Sequence, residues 1–587
     1  MPKPPNPRAN AKTKRPPRGG LFVSNRRTAS LGMAITRSFV QSTIVVVKKS
    51  IPMSSSIART LVAVMLTVTL SIESAAAQEF ELSTQSVVAS GSSTANAAST
   101  THSVSSDGRW VLIGSTATNL VTGQSDTSNS ADVFLRDRTT GTTILVSRAA
   151  GTTTTTANGE SFPRAVSDDG RYVVFLTLAT NLVAGVTDNN SACDIYLFDR
   201  QNGTNRLVSH AAASTLQTGN ASSFAFDPTA IDATGVVVVF HSYATDLVAG
   251  LQDTNGDADI FLFDTSTNTR TLVSRSASNP ASTSTNSSLP MQISPGGRYV
   301  LFISSASDLV AGVTDTNGTF DAFLFDRQSS TSELLSSAAG QPNQAANSQL
   351  NNAVMSLDAR WVVMNTRATN MIAGQVDGVG TDDVFLLDRS TGSRRLLSGV
   401  NGSQTTTMGA LQTVTPRQLS ADGRFFVIST QGTNLVAGVT DNNSANDLYL
   451  FDRIAGSTSL ISGANGSTTV TASGLSRAAR LSQDGAWLMF TSQGTNLKAG
   501  LQDTNGGEDV FMLETGSRQL TALSVASAPP ETAANGSSAG VAMNADGSVL
   551  VLDSTATNLP NTPTDANLAT DVFAVKHRRN VFGDGFE

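Results

Sequence analysis

Oxygen-bearing side chains recur at alternate positions along this 587-residue chain. The fullest run is Asp253, Asn255, Asp257 and Asp259, with Gly256 easing the turn. Asp503, Asn505 and Asp509 repeat the D-x-N-x-x-x-D pattern, as do Asp315, Asn317 and Asp321. Asp188, Asn190, Asp194 and Asp441, Asn443, Asp447 follow it too, and so do Asp565, Asn567 and Asp571. Such donors on a tight loop suit Ca²⁺, which takes about six to eight oxygens at roughly 2.3–2.6 Å. The run from Asp377 carries Val379 at the middle position, which predicts poor binding there. In the first run Ser128 stands in that place beside Asn129. The same residue types have a second use. Asp and Asn close Asx-turns, which need no metal. Both readings stand on the sequence, and calcium is the only cofactor it argues for.

Other chemistry is sparse. The four histidines are His102, His210, His241 and His577, too few and too scattered for a poly-His centre. His210 and His241 each occur in one repeat only, where they read as packing or surface residues. No H-E-x-x-H motif occurs. Cys193 is the single cysteine, which excludes a disulfide framework. A carboxylate beside it at Asp194 disfavours the thiolate. These absences lead to the expectation that the chain is not an enzyme.

The elements that position these residues come from an internal repeat, which has to be sought before anything else. A segment beginning at Asp132 (DVFLRDR) recurs at Asp194, Asp259, Asp321, Asp383, Asp447, Asp509 and Asp571. The spacings are 62, 65, 62, 62, 64, 62 and 62 residues. Each period holds four strand-like runs. In the second they are Phe162 to Ser167, Arg171 to Leu176, Asp194 to Arg200 and Arg206 to His210, with tight turns at Asp169-Gly170 and Asn202-Gly203. β-Branched and aromatic runs broken by Asp-Gly and Asn-Gly are strand and hairpin signals. Four strands per repeat over many repeats predict an all-β chain, an eight-bladed β-propeller of four-stranded antiparallel blades. Trp110, Trp361 and Trp487 share one position with Tyr172, Tyr299 and Phe425, and read as inter-blade core.

The runs Pro163 to Phe175, Asp194 to Arg200 and Arg206 to Ser209 resemble the TolB-like, or WD40-like, propeller repeat of bacterial secreted proteins. The resemblance spans residues 80–577. It departs in its loops, which lengthen the period, and in the Pro of the S-P-D-G turn, which Pro295 alone of the quoted turns keeps. It implies strands a, b, c and d from channel to rim. The last repeat supplies a, b and c (Gly540 to Asn544, Ser548 to Asp553, Asp571 to Lys576) and then nearly stops. Gln85 to Ser90 (QSVVAS) matches the missing outer strand, so the N-terminal segment is expected to close the ring and leave no free edge.

Loop lengths choose a face. The b–c and d–a connections are long, roughly fifteen residues each, and emerge on the same side. Long loops on a rigid scaffold are where binding is built. Most b–c loops begin T-N-L-V-A-G, as in Thr180 to Gly185 and Thr433 to Gly438. There Asn181 is expected to cap a helical turn, Leu182 to bury and Gly185 to end the turn.

Residues 78–579 are read as one propeller domain, preceded by a basic extension at 1–52 and a signal peptide at 53–77. Arg59, the apolar run Leu61 to Ile72 and the small residues Ala75-Ala76-Ala77 carry the signal-peptide reading. A membrane anchor is the competing one. Residues 1–52 hold eleven basic residues and no acid, which fits a start codon assigned too early better than a twin-arginine signal at Arg26-Arg27. Beyond residue 77 the net charge is −18, which argues against nucleic acid as a partner. Residues 580–587 (NVFGDGFE) form a short tail. The expectation is an exported, monomeric, periplasmic or extracellular binding scaffold without a membrane span in the mature chain. Its partner would be a protein or a cell-envelope glycan on the long-loop face. The competing reading is a propeller-fold hydrolase or lyase acting on an extracellular polymer.

Overall fold

The computed structural model describes residues 80–577 apart from 227–229, 378–380, 409–418 and 528–529. The basic extension, the signal peptide and the tail lie outside these residues.

Eight antiparallel sheets follow one another along the chain, and each is one repeat. In blade 1, strands a to d are Ser99–Val104, Trp110–Ser115, Asp132–Asp137 and Thr142–Leu145. In blade 2 they are Ser161–Val166, Tyr172–Thr177, Asp194–Asp199 and Thr204–Leu207. Three described strands form blade 6. Strands a of neighbouring blades lie against one another, which puts them at the centre of the ring. The eight-bladed propeller read from the repeat is therefore the fold. A small hairpin, Ser337–Ala338 with Gln341–Ala345, follows blade 4 and had no sequence signal.

The ring closes as expected, but five residues earlier in the chain. Phe80–Thr84, not Gln85 to Ser90, pairs antiparallel with strand c of blade 8, Asp571–His577. Strand d of blade 2 is displaced in the same direction, by two to three residues, running Thr204–Leu207 rather than Arg206 to His210. In blade 2 it ends at Leu207, so the L-V-S signature is the strand's exit rather than its body. The serine is a cap. Ser209 Oγ donates to Asp194 Oδ1 at 2.9 Å and accepts the Ile195 N–H at 3.0 Å. Ser86, within the expected strand, makes the same bond to Asp571 at 2.7 Å. The match was therefore to the cap, one turn beyond the strand.

Strands b and c are buried almost end to end because both faces meet a neighbouring blade. Leu112, Val133 and Leu135 of blade 1 pack on Val173, Phe175 and Tyr196 of blade 2. At the seam, Leu82 joins Met489, Met512, Leu552 and Val575. The aromatic stripe sits between blades. Trp110 is 5% exposed, and Arg200 stacks over its ring at 4.0 Å.

Arginine–aspartate pairs tie the start of strand b to the end of strand c. Arg109 grips Asp137 with two bonds of 2.9 and 2.7 Å. Arg171–Asp199, Arg298–Asp326, Arg360–Asp388 and Arg424–Asp452 repeat the fork. Burial pushes the Asp137 carboxyl up, yet the Arg109 guanidinium and the Thr139 N–H outweigh it and hold it at about 2. The Arg360 fork holds Asp388 low as well, and Asp326 and Asp452 are lowered by their arginines. A folded pKa below the unfolded value gives stability that is present above pH ~4 and lost as pH falls towards 2. Urea unfolding is therefore expected to show a falling midpoint between pH 4 and 2, and a shallower fall in Asp137→Asn. A midpoint unchanged across that window would contradict the role given to these forks.

Candidate functional site at the long-loop face

Strand a begins, b ends, c begins and d ends on one face, so both long connections emerge there. The two long loops of a blade are stitched together by the residues that the sequence singles out. In blade 2, Asp188 Oδ1 accepts the N–H groups of Asn190 and Ser191 at 3.0 and 2.9 Å, an Asx-turn. Asn190 Nδ2 donates across to Gly219 O in the d–a loop at 2.7 Å. Asp253 and Asn255 do the same, with Asn255 reaching Ser284 O at 2.7 Å. Asn317, Asn443, Asn505 and Asn567 reach Ala346, Ala472, Ala534 and Ala95 at 2.6, 2.7, 2.6 and 2.6 Å. Asp315, Asp441 and Asp503 close the matching turns. Asp257 contributes its N–H to Asn255 Oδ1 at 2.7 Å.

The last Asp of each run opens strand c. Asp259, Asp321, Asp447 and Asp509 each take a serine hydroxyl on Oδ1, from Ser274, Ser336, Ser462 and Ser524. Burial pushes Asp194, Asp321, Asp447 and Asp509 up to about 7 and Asp259 to about 8, against the pull of those hydroxyls. Among the described residues, no group of three or more His, Cys, Asp or Glu is arranged to hold a metal ion.

The T-N-L-V-A-G segment buries Leu182 and turns at Gly185 (φ +81°), as expected. Asn181 differs. It caps no helix, because its Oδ1 accepts the Asn158 N–H of the d–a loop at 3.0 Å. The loop–loop contact satisfies the side chain that a helical turn would have used.

Unrepeated polar residues gather at the inner rim. The first residue of strand a donates its N–H to the carbonyl just before strand c of the preceding blade, as Ser161 does to Ala131 and Ser538 to Glu508. That position is a carboxylate in blades 5 and 7, Asp382 and Glu508. Arg367 Nε and Asn351 Nδ2 both donate to Asp382 at 2.8 Å. Arg477 grips Glu508 with bonds of 2.6 and 2.8 Å. The two acids are 4% and 11% exposed, and their arginines 56% and 58%. In blade 8, Asp553 Oδ1 accepts the Thr101 N–H of blade 1 at 2.9 Å. Burial pushes the Asp553 carboxyl up to about 7, while Thr101 and the field of His102 favour its charged form. Strand a carries a β-bulge at His102, Arg164, Met291 and Asn351, and a bulge re-aims a side chain. The sequence signal for this rim was available as the departures of each strand a from the repeat consensus.

The remaining candidates pack. His241 stacks between Phe224 and Phe226 at 5.5 and 5.1 Å, and burial lowers it to about 4. His210 bonds to Ala211 O and Arg270, and burial lowers its pKa. Burial, then Asp194, raises the Cys193 thiol. A cleft of ≈ 310 Å³ between blades 2 and 3 is lined by Arg171, Tyr172, Asp199 and Arg206 on the short-turn side.

No family model matches the sequence, and no curated protein matches it. Solved structures do. A prolyl endopeptidase is 10% identical with a TM-score of 0.41, covering 78% of this chain and 54% of its own. An oligogalacturonate lyase in complex with manganese is 10% identical with a TM-score of 0.37, covering 76% and 96%. A TolB from Agrobacterium tumefaciens is 16% identical with a TM-score of 0.27, covering 52% and 80%. This chain thus spans about half the length of the endopeptidase it matches. At these identities the likeness is one of fold. It also corrects the expectation of a non-enzyme. Structures of this kind include a peptidase and a lyase, so the propeller fold gives no ground for excluding catalysis.

Proposed function

We propose that this chain is an exported propeller that binds a protein or a cell-envelope glycan on its long-loop face, at the inner rim. The observation behind the reading is the pair of exposed guanidiniums, Arg367 and Arg477, each anchored on a buried carboxylate. Anchoring fixes the guanidinium plane, and such a fork matches carboxylate and hydroxyl-rich ligands. Two fixed cations stand out on a body of net charge −18. Export rests on the apolar run before Ala75-Ala76-Ala77. Among the described residues no helix is long and apolar enough to cross a membrane. Titrating the protein with acidic and neutral envelope oligosaccharides and with acidic peptides tests the proposal. Arg367→Gln with Arg477→Gln is expected to weaken binding about tenfold or more, since bonds to charged groups contribute about 1.5–3 kcal/mol. Arg298→Gln, on the opposite face, is the control. Equal loss in both variants would sink the reading.

A hydrolase or lyase acting on an extracellular polymer is the second reading, and Asp553 favours it. Its carboxyl is held near neutrality with His102 in its field, beside the innermost strands. A group with a pKa close to the working pH is suited to proton transfer. If the ring cleaves a polymer of such a panel, Asp553→Asn should lower the rate by about 10²-fold or more. An undiminished rate would remove Asp553 from the chemistry.

A further inference from the structure

We infer that the inner rim takes an oligosaccharide of uronic-acid type, stacked on the aromatic residues of blade 3 and held by its carboxylate on Arg367. The inference rests on the binding function proposed above and names its ligand class.

Two rim positions recur in every blade, and their side chains sort the ring into two arcs. The first is the residue after strand b, whose N–H bonds to the carbonyl ahead of strand a, as Leu178 does to Glu160 and Arg367 to Gln349. It is Leu178, Tyr243 and Ser305 in blades 2 to 4, and Arg367, Gln431 and Gln493 in blades 5 to 7. The second is the residue before strand c, whose carbonyl takes the N–H that opens the next strand a, as Cys193 takes that of Ser223 and Asn446 that of Ser476. It is Cys193, Ala258 and Phe320 in blades 2 to 4, and Asp382, Asn446 and Glu508 in blades 5 to 7. The second residue of strand a agrees. It is Phe162, Phe224 and Leu289 on the first arc, and Asn351 and Arg477 in blades 5 and 7. One arc is therefore largely apolar, and the other is built of amides, guanidiniums and carboxylates.

The apolar arc is open to solvent where the rest of the ring is not. Among the described residues the exposed aromatics are Phe226 and Tyr243, at 41% and 45%, and both belong to blade 3. Their rings are held from behind. Phe224 sets the Tyr243 ring perpendicular to its own at 6.5 Å, and His241 covers one face of Phe226. Exposed rings fixed by their neighbours form a platform for a ligand. On the polar arc, Arg367 reaches Asp382 through Nε, which leaves its two terminal amino groups at the rim. Arg477 uses Nε and Nη2 on Glu508. In a ring of eight, blade 5 stands a quarter-turn from blade 3, and blade 7 stands opposite it.

A pyranose fits both arcs at once. Its face presents C–H groups, which the negative face of an aromatic ring attracts. Its edge presents hydroxyls to the amides and guanidiniums, and a uronate adds a carboxylate that the guanidinium fork matches. The acidic body does not draw anions by its overall field, so the fixed guanidinium has to select the carboxylate at short range. An acidic peptide would engage the guanidiniums and leave the platform idle.

The test is calorimetric titration of the intact protein with tetramannuronate, with neutral mannotetraose of the same linkage, and with tetraglutamate. Tetramannuronate is expected to bind about tenfold or more tighter than mannotetraose, and Arg367→Gln to erase that difference. Tyr243→Ala should weaken both sugars about fivefold, while Tyr243→Phe, which keeps the ring, should bind as the unmodified protein does. Sugar binding that Tyr243→Ala leaves unchanged would overturn the inference. Binding of tetraglutamate alone, lost in Arg367→Gln and kept in Tyr243→Ala, would overturn this ligand and leave the binding function standing. Binding of none of the three would overturn the inference too. The binding function falls separately, if Arg367→Gln with Arg477→Gln loses no more than Arg298→Gln.

Discussion

Removing Phe80–Thr84 should leave a propeller that unfolds at a much lower temperature and self-associates. The strand supplies the outer edge of blade 8, pairing five residues with strand c from Phe80–His577 to Thr84–Phe573. Leu82 inserts between blades 7 and 8 beside Met512 and Val575. Phe80 stacks on His577 at 4.8 Å, and His577 meets Trp487 edge-on at 4.3 Å. Burying an apolar side chain contributes about 1.5–3 kcal/mol, and each backbone bond about 1. The loss is therefore on the order of 5–10 kcal/mol, comparable with the whole stability of many folded domains. The loss is not merely local, because the ring has one seam. Without the strand, Asp571–His577 presents unpaired N–H and C=O groups to other chains. Sedimentation velocity should show higher-order species, and calorimetry a depressed main transition. A truncated protein that stays monomeric and melts where the intact one does would refute the closure.

The second large effect is expected from Gly170→Ala. Gly170 closes the a–b turn of blade 2 at φ +67°, a conformation in which a Cβ is strained. The added carbon would also lie 2.0 Å from Trp110 Cδ1 of blade 1. Trp110 cannot retreat, because Arg200 covers its ring at 4.0 Å and its neighbours are core. Strain of about 1–2 kcal/mol adds to a forced repacking that costs about 1–3 more. The neutral comparison is Gly256→Ala, at φ +67° with nothing within 4 Å, which should cost the strain alone. The equivalent turn in blade 5 already has Ala359 at φ +56°, so the backbone alone does not demand glycine. Denaturant midpoints of the two variants separate the contributions. Equal midpoints would mean that the turn does not press on the neighbouring tryptophan.

Much of this was legible in the chain because repetition averages out local noise. The D-(V/I)-(F/Y)-L run marks strand c in blade after blade, and its aspartate starts the strand as printed in the sequence. Where reading failed, a side chain had a tertiary use that spacing does not reveal. The serine of L-V-S looked like strand and is a cap on the strand-c aspartate, which displaced the closing strand by five residues. Asn181 looked like a helix cap and binds the d–a loop instead. The aspartates and asparagines of the b–c loops carried two readings, metal donors or Asx-turns, and spacing alone does not show that in six loops the asparagines also tie the b–c loop to the d–a loop. The rim formed by Arg367, Asp382, Arg477 and Glu508 escaped notice because it consists of departures from the repeat, which a search for the repeat discards.

The whole account depends on a closed ring, since only closure brings blade 8 beside blade 1 and Asp553 beside Thr101. The most direct measurement is a disulfide across the seam. Ser83 and Ala574 are paired partners in the closing register. Antiparallel partners stand about 4.5–5.5 Å apart at Cα, inside the range a disulfide spans. In a Cys193→Ser background, Ser83→Cys with Ala574→Cys should oxidise within one chain, read as a mass loss of two hydrogens and a cross-linked peptide. Val87→Cys with Ala574→Cys, a pair that a closing strand at Gln85 to Ser90 would favour, should remain reduced. Cross-linking in the second pair but not the first, or only between chains, would contradict the ring as described.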